Sequence, residues 1–276
     1  IEQAIENKDP LIEVEDEYGV IHRMWVLDEP GTIEELKRQM QEKKLYIADG
    51  HHRYETALNY WREQQAKGVP IKGEEAIDRA MMSFVSIQDE GLAVLPTHRV
   101  IFGVPDFKAA DLFAELQDTF EIRNLGPLSD KNLIKSLEEN TGREKSFLFA
   151  VKGHDLLHLL QLKSNADPAC LIKGEASPVW KALEVNILHK LILEKHLGIN
   201  ERDLERQDKV LYLRDPQEAL RLVLDENSKY QAVFFLNPPK VEEVVAVADN
   251  GECMPPKSTD FYPKMLTGLV INKLNL

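Results

Sequence analysis

Residues 46–58 read Tyr-Ile-Ala-Asp-Gly-His-His-Arg-Tyr-Glu-Thr-Ala-Leu, and the expected fold grows outward from this stretch. The apolar residues 45–48 read as the end of a strand. Asp49 and Gly50 interrupt the run, and a helical period follows with Tyr54, Ala57, Leu58 and Trp61 on one face. Gly50 lets the chain turn where a side chain would obstruct it. The next backbone N–H groups sit at a helix N-terminus with its partial positive charge, and His51, His52 and Arg53 add donors there. Asp before a helix is an ordinary cap and Gly an ordinary turn residue. Packing does not ask for three cation-capable side chains where the helix dipole already disfavours cations. The stretch therefore reads as an anion site, most naturally for phosphate.

On the N-terminal side, residues 11–15 and 20–27 read as two strands joined by an acidic turn at 16–19. Residues 33–41 have helical spacing, with Thr32 and Glu35 placed as a capping box. On the C-terminal side the motif's helix runs to about Lys67, followed by a loop at 68–73. Residues 80–87 read as an apolar strand and 99–102 as another. Helices are predicted at 107–118, 130–139, 216–224 and 241–248, and strands at 120–123, 146–151, 156–162, 210–213 and 232–236. Residues 152–155 form a hairpin turn. Residues 179–197 read as one long amphipathic helix stopped by Gly198. Strands and helices mix without a βαβ rhythm, which predicts an α+β fold of mixed sheets with helices. The expected units are 1–104 and 105–276, with the C-terminal tail returning to the first.

The 276 residues are enough for one large or two small domains, and 43% hydrophobic with 29% charged is a globular composition. A formal net charge of −13 argues against a nucleic-acid partner. No apolar run approaches membrane-spanning length, so no membrane partner is expected. The polar, acidic residues 1–10 do not resemble a signal peptide. Cys170 and Cys253 form neither a disulfide framework nor a metal motif. These features set a cytoplasmic expectation. The first residue is Ile rather than Met, which reads as a fragment.

A second stretch, residues 251–264, reads Gly-Glu-Cys-Met-Pro-Pro-Lys-Ser-Thr-Asp-Phe-Tyr-Pro-Lys ahead of an apolar helical pattern through Leu266, Leu269 and Val270. The spacing from Gly251 to Lys257 and Ser258 nearly matches a phosphate-binding P-loop. Pro256 stands where that loop needs its second Gly, however, and prolines have no N–H to offer a phosphate. Lys257, Ser258 and Thr259 can still bind phosphate through their side chains. His98 is a candidate general base and Arg99 a candidate carboxylate clamp. Of the other histidines, His154 and His158 fall on the hairpin, and His189 and His196 are expected on a helix surface. No structural metal is expected. Mg2+ arriving with a nucleotide would find Asp49 a suitable ligand.

The runs Ile-Ala-Asp-Gly-His-His-Arg-Tyr-Glu-Thr-Ala, Leu-Pro-Thr-His-Arg and Met-Pro-Pro-Lys-Ser-Thr-x-Phe-Tyr-Pro-Lys together resemble the bacterial and archaeal family called domain of unknown function 1015. The resemblance spans essentially the whole chain. Members of that family carry a further N-terminal segment, so the resemblance implies that this chain corresponds to the C-terminal two-thirds of such a protein. The Asp-Gly-His-His-Arg element also resembles the phosphate-binding signature of the ParB/sulfiredoxin superfamily, which includes free-serine kinases using ATP or ADP. That resemblance implies a nucleotide-binding element of that type in the first unit. Gly50, His51, His52 and Arg53 would contact phosphates, and Asp49 would bind Mg2+ or orient the acceptor hydroxyl.

The expected function is a nucleotide-dependent phosphotransferase on a small hydroxylated metabolite, with free L-serine the best guess. Asp49, His51 and His98 would be catalytic, residues 257–259 would join the phosphate site, and Arg99 would bind the acceptor's carboxylate. The alternatives are a nucleotide-binding switch or NTP hydrolase of ParB type, using CTP, and a non-catalytic structural protein.

Overall fold

The computed structural model describes residues 1–16, 19–68, 77–143 and 145–272. The expected acidic turn at 16–19 and loop at 68–73 fall largely outside them. Two compact units are present, Ile1–Tyr46 and Ile47–Leu276.

The first unit holds helix α1 (Glu2–Ile5), strands β1 (Ile12–Glu15) and β2 (Ile21–Met24), and helix α2 (Pro30–Met40). β1 and β2 pair antiparallel, with Glu13 opposite Arg23. Arg23 Nε meets Glu13 Oε2 at 2.7 Å, the cross-strand charge pair this register allows. α2 begins at Pro30, whose fixed φ suits the first helical position and whose missing N–H is not needed there. The expected capping box therefore does not form. Thr32 Oγ1 donates to Glu29 Oε2 at 3.0 Å, and Glu35 turns to Arg38 and Gln39.

The second unit opens with α3 (His51–Ala66), β3 (Ala93–Val94) and β4 (His98–Phe102). Next come α4 (Ala109–Leu116), β5 (Phe120–Pro127), α5 (Asp130–Asn140), β6 (Ser146–Val151) and β7 (Leu156–Leu162). After these follow α6 (Pro168–Leu171), α7 (Pro178–Ala182), α8 (Glu184–Leu188), a π-helical stretch (His189–Glu194) and α9 (Lys195–Leu197). The chain then forms α10 (Glu201–Arg206), β8 (Val210–Leu213), α11 (Pro216–Leu224), β9 (Tyr230–Phe235), α12 (Val241–Asp249) and β10 (Phe261–Tyr262). The architecture is mixed α+β, as the alternating periods predict.

Six strands form one sheet in the order β5-β7-β6-β9-β4-β8, every pair antiparallel. Period-two alternation sends successive side chains into two separate cores. Ile101, Phe147, Phe149, Val151, Leu160 and Phe234 face one core, with Leu112 and Leu116 of α4 and residues of the 183–197 segment. Val100, Leu148, Ala150, Leu159, Val233 and Phe235 face the other, with Leu133 of α5 and Leu220 and Val223 of α11. Both faces are covered, so β6 reads as a continuous apolar run rather than an alternating one.

Four expectations are corrected. The boundary expected near residue 104 does not divide the chain, because β4 lies inside the large sheet between β9 and β8. Residues 45–48 and 80–87 do not form strands, and Met81, Met82, Phe84, Val85 and Ile87 are exposed. A strand needs ladder partners as well as propensity, and among the described residues none pairs there. The first buried residue among those described is Val94. No helix forms at 266–270, where the chain makes turns instead. Finally, the helix expected at 179–197 is interrupted at Leu183, where ψ is 133°, and widens to the π form before it ends at left-handed Gly198. The widened turn brings His189 inward to 6% exposure, and the His196 side chain is 8% exposed against Glu115. The amphipathic period locates the helix but not a π-bulge that rotates its inward face.

Candidate functional site

The 49–53 element is built by the backbone of Gly50. Its φ of 79° is left-handed, and a Cβ there would lie 2.7 Å from Arg53 Nη2, so both conformation and contact call for glycine. No side chain caps α3, and the first helical bond shown is Tyr54 N–H to Gly50 O at 3.1 Å. Asp49 does not act as the helix cap. Its Oδ1 accepts from Gly50 N–H at 2.8 Å, and its Oδ2 meets Lys264 Nζ at 3.3 Å. The start of the helix is left facing solvent, with His51, His52 and Arg53 all exposed. The two imidazoles pack side by side, centroids 4.0 Å apart, and His52 Nδ1 lies 3.6 Å from Glu55. Although adjacent on the helix, their rings meet in one exposed patch. Partial burial raises the Asp49 carboxyl, but the Gly50 N–H, Lys264 and Arg53 together outweigh it and hold the group below its ordinary range.

The C-terminal segment does reach this element. β10 pairs with β3, Leu95 N–H donates to Asp260 O at 2.8 Å, and Lys264 Nζ stands 3.2 Å from Asp260 Oδ1. Lys264 thus bridges Asp49 and Asp260, and Arg214 pairs with the second oxygen of Asp260. Within the 251–264 run it is Lys264 whose side chain meets Asp49, whereas Lys257 is the one expected to join the phosphate site there. Lys264 is the last residue of the quoted 251–264 run, but nothing in the run distinguishes it from Lys257.

Of residues 257–259, Ser258 departs from expectation. Lys257 is exposed and left-handed, with φ of 57°. Ser258 is 4% exposed, and its Oγ donates to Pro255 O at 2.6 Å. That hydroxyl proton closes the Pro-Pro turn and is not presented to a phosphate. Thr259 is half-buried.

His98 and Arg99 are each 1% exposed, and strand alternation sends them to opposite faces of the sheet. His98 packs edge-on against Phe235, and its Nδ1 accepts from Leu236 N–H at 3.3 Å. Burial, aided by the Arg99 cation and opposed by Asp215, lowers its pKa to about 4. It is neutral near pH 7, with one ring nitrogen committed to the backbone and the ring enclosed, so it is not open to an acceptor as the expected general base would be. The expected pairing of His98 with Arg99 around one acceptor does not occur.

Arg99 points to the other core. Nη2 donates to Lys257 O at 3.1 Å, Nη1 to Thr97 O, and Nε to His189 Nε2 at 3.4 Å. The guanidinium carbon lies 5.2 Å from the Tyr212 ring centroid. Burial lowers the Arg99 pKa to about 10, opposed by Tyr212. Arg99 therefore anchors the strained Lys257 turn from beneath. His189, Tyr212 and Lys264 were not legible as site residues, because their roles come from pairings across distant parts of the chain.

Among the described residues, no group of three or more His, Cys, Asp or Glu is placed to hold a metal. None of the helices they form is long and apolar enough to cross a membrane. Both cysteines are free and exposed.

The fold defines a mixed α+β protein, and the 49–53 element opens α3 with an uncapped, exposed helix start. The chain belongs to the family described as protein of unknown function, DUF1015, whose sequence profile matches residues 1–186. No curated protein matches it. Among solved structures, a conserved hypothetical protein from Pyrococcus furiosus matches with 18% identity over 78% of this chain and 68% of its own, at a TM-score of 0.37. A free serine kinase in complex with AMP matches with 15% identity over 86% of this chain and 81% of its own, at a TM-score of 0.38. A mutant of a free serine kinase, also with AMP, matches over the same shares at a TM-score of 0.39.

Proposed function

We propose that this protein is a nucleotide-dependent phosphotransferase acting on a small hydroxylated metabolite, with free L-serine as the acceptor. One observation carries the reading. The start of the 16-residue α3 has no side-chain cap, follows a left-handed glycine, and exposes His51, His52 and Arg53 together. Backbone N–H groups of the first turn and these side chains take the phosphate oxygens of ATP or ADP. Phosphoryl transfer asks little covalent help from a protein, and positioned positive donors supply most of what it needs. The choice of L-serine follows the resemblance of the Asp-Gly-His-His-Arg element to free-serine kinases.

Asp49 and Asp260 each direct a carboxylate oxygen at Lys264 Nζ, at 3.3 and 3.2 Å. Asp49, the exposed one of the two, would be the ligand for Mg2+ arriving with the nucleotide, in place of its contact with Lys264. The ion, when bound, would neutralise phosphate charge. Asp49 then also stands where an acceptor hydroxyl is oriented, and His51 is the proton acceptor beside it. Lys257 and Thr259 extend the phosphate contacts, and Arg99 receives the acceptor's carboxylate.

The test is calorimetric titration of ATP, ADP and CTP with Mg2+ into the wild type and Arg53→Ala, followed by phosphorus NMR for phosphoserine. Saturable binding that Arg53→Ala abolishes, with phosphoserine formed in the wild type, is expected. Nucleotide binding that survives Arg53→Ala and Lys257→Ala together overturns the reading.

A further inference from the structure

A narrow cleft lies between the start of β4, the break at Leu183 and the start of α12. Arg99, Glu184, Glu243 and Ser258 line it, and Leu183 and Met254 form part of an apolar wall. Arg99 is 1% exposed, and its hydrogen-bond partners are two carbonyls and a ring nitrogen. The ring is uncharged, because burial and the Arg99 cation hold His189 well below its ordinary range. Three of the five guanidinium N–H groups are used, leaving two. The Glu184 carboxylate accepts from Asn237 Nδ2 at 3.1 and 3.2 Å and from Ser146 N–H at 3.4 Å, all neutral donors. Its acidic neighbour is Glu243.

Among the described residues, neither Arg99 nor Glu184 is in an ion pair. Burying a charge is costly unless an opposite charge meets it. Here a buried cation and a largely enclosed carboxyl group both face one cleft, and each is hydrogen-bonded only to neutral groups. The complementary ligand carries both signs at once.

We propose that this cleft is the subsite for a free α-amino acid, with Arg99 binding its carboxylate and Glu184, seconded by Glu243, binding its ammonium. The further statement that the amino acid is a phosphoryl acceptor rests on the phosphotransferase reading. Ser258 ties the cleft to the Lys257 turn, and the same segment continues through Asp260 and Lys264 to Asp49. The free space is about 30 Å³, enough for a water or two, so an amino acid must part the apolar wall. Met254, unbranched and half-buried, is the side chain suited to yield.

The experiment titrates L-serine, D-glycerate and ethanolamine into the full chain by calorimetry, alone and with AMP, which has no phosphoanhydride to transfer. Glycerate lacks the ammonium and ethanolamine the carboxylate. L-Serine is expected to saturate, with both analogues at least ~10-fold weaker, the effect of one lost charge-assisted hydrogen bond. Glu184→Gln should weaken L-serine by ~10-fold or more and leave glycerate unchanged. Repeating the titration in two buffers of different ionisation enthalpy should show proton release, because Glu184 must ionise to take the ammonium. Equal affinity of the wild type for L-serine and glycerate, or no binding of any ligand, overturns the proposal. So does unchanged L-serine affinity in a folded Glu184→Gln. L-Serine binding without phosphoserine on adding ATP or ADP with Mg2+ leaves the subsite standing and overturns the phosphotransferase reading alone.

Discussion

Glu184 should make the protein less stable as pH rises through the neutral range, and Glu184→Gln should remove that dependence. Burial raises the carboxyl. Asn237 and the N–H groups of Ser146 and Lys145 oppose the rise, Glu243 adds to it, and the pKa moves from 4.5 to about 7. In the unfolded chain the group returns to its ordinary value. Between the two values the unfolded chain has released a proton that the folded one still holds, so stability falls as pH increases. The contribution is fully present below about pH 4.5 and lost as pH rises through about 7. A displacement of this size corresponds to about 3 kcal/mol at most.

His98 and His189 act in the opposite sense. Both are held neutral, so their contribution is present above the ordinary histidine value of 6.5 and is lost as pH falls below it. In the wild type alone the two trends offset each other. The decisive quantity is therefore the wild-type minus Glu184→Gln difference in unfolding free energy, from urea titrations at constant ionic strength. The histidine contribution is common to both proteins and cancels. The difference should fall by about 3 kcal/mol between roughly pH 4.5 and 8. A difference flat to within about 0.5 kcal/mol, the scatter of an inconsequential substitution, would refute the enclosure of Glu184.

Gly50→Ala must place a side chain at φ 79° and against Arg53 Nη2. The conformational cost is about 1–2 kcal/mol, and the displaced Arg53 should weaken nucleotide binding more than it lowers the melting temperature. Lys264→Met removes one of the groups holding Asp49 low, so a carboxylate NMR titration should show the Asp49 pKa rising; an unmoved value contradicts the bridge. Arg99→Met replaces a buried cation with an apolar chain, so desolvation relief offsets the lost hydrogen bonds and the stability change should stay under ~2 kcal/mol. The Lys257 turn loses its anchor, and trypsin should cleave after Lys257 faster than in the wild type. An unchanged cleavage rate means the turn is held by other contacts.

The elements of the large sheet are legible because their signals are local. Residues 146–151 and 156–162 are apolar runs around a Gly turn, and Asp215-Pro216 and Gly198 mark helix ends by backbone chemistry alone. The same reasoning fails at 45–48 and 80–87, where strand propensity is present but no described partner pairs. It fails again at the expected boundary near 104, since β4 pairs with strands more than a hundred residues away. At the site, the 49–53 element is readable because glycine, imidazoles and guanidinium stand consecutively at one helix start. His98 and Arg99 are readable as chemistry but not as buried groups on opposite faces. Lys264, Tyr212, His189 and Glu184 carry no local signature.

The sequence by itself determined the turn at Gly50, the helix that follows it, and the concentration of phosphate-type donors there. Each depends on neighbours along the chain. Which charges meet was decided only by the tertiary structure. Lys264 reaches Asp49, Arg99 anchors the Lys257 turn, and Glu184 faces the same cleft as Arg99, because burial and pairing are properties of residues that folding, not sequence order, makes adjacent.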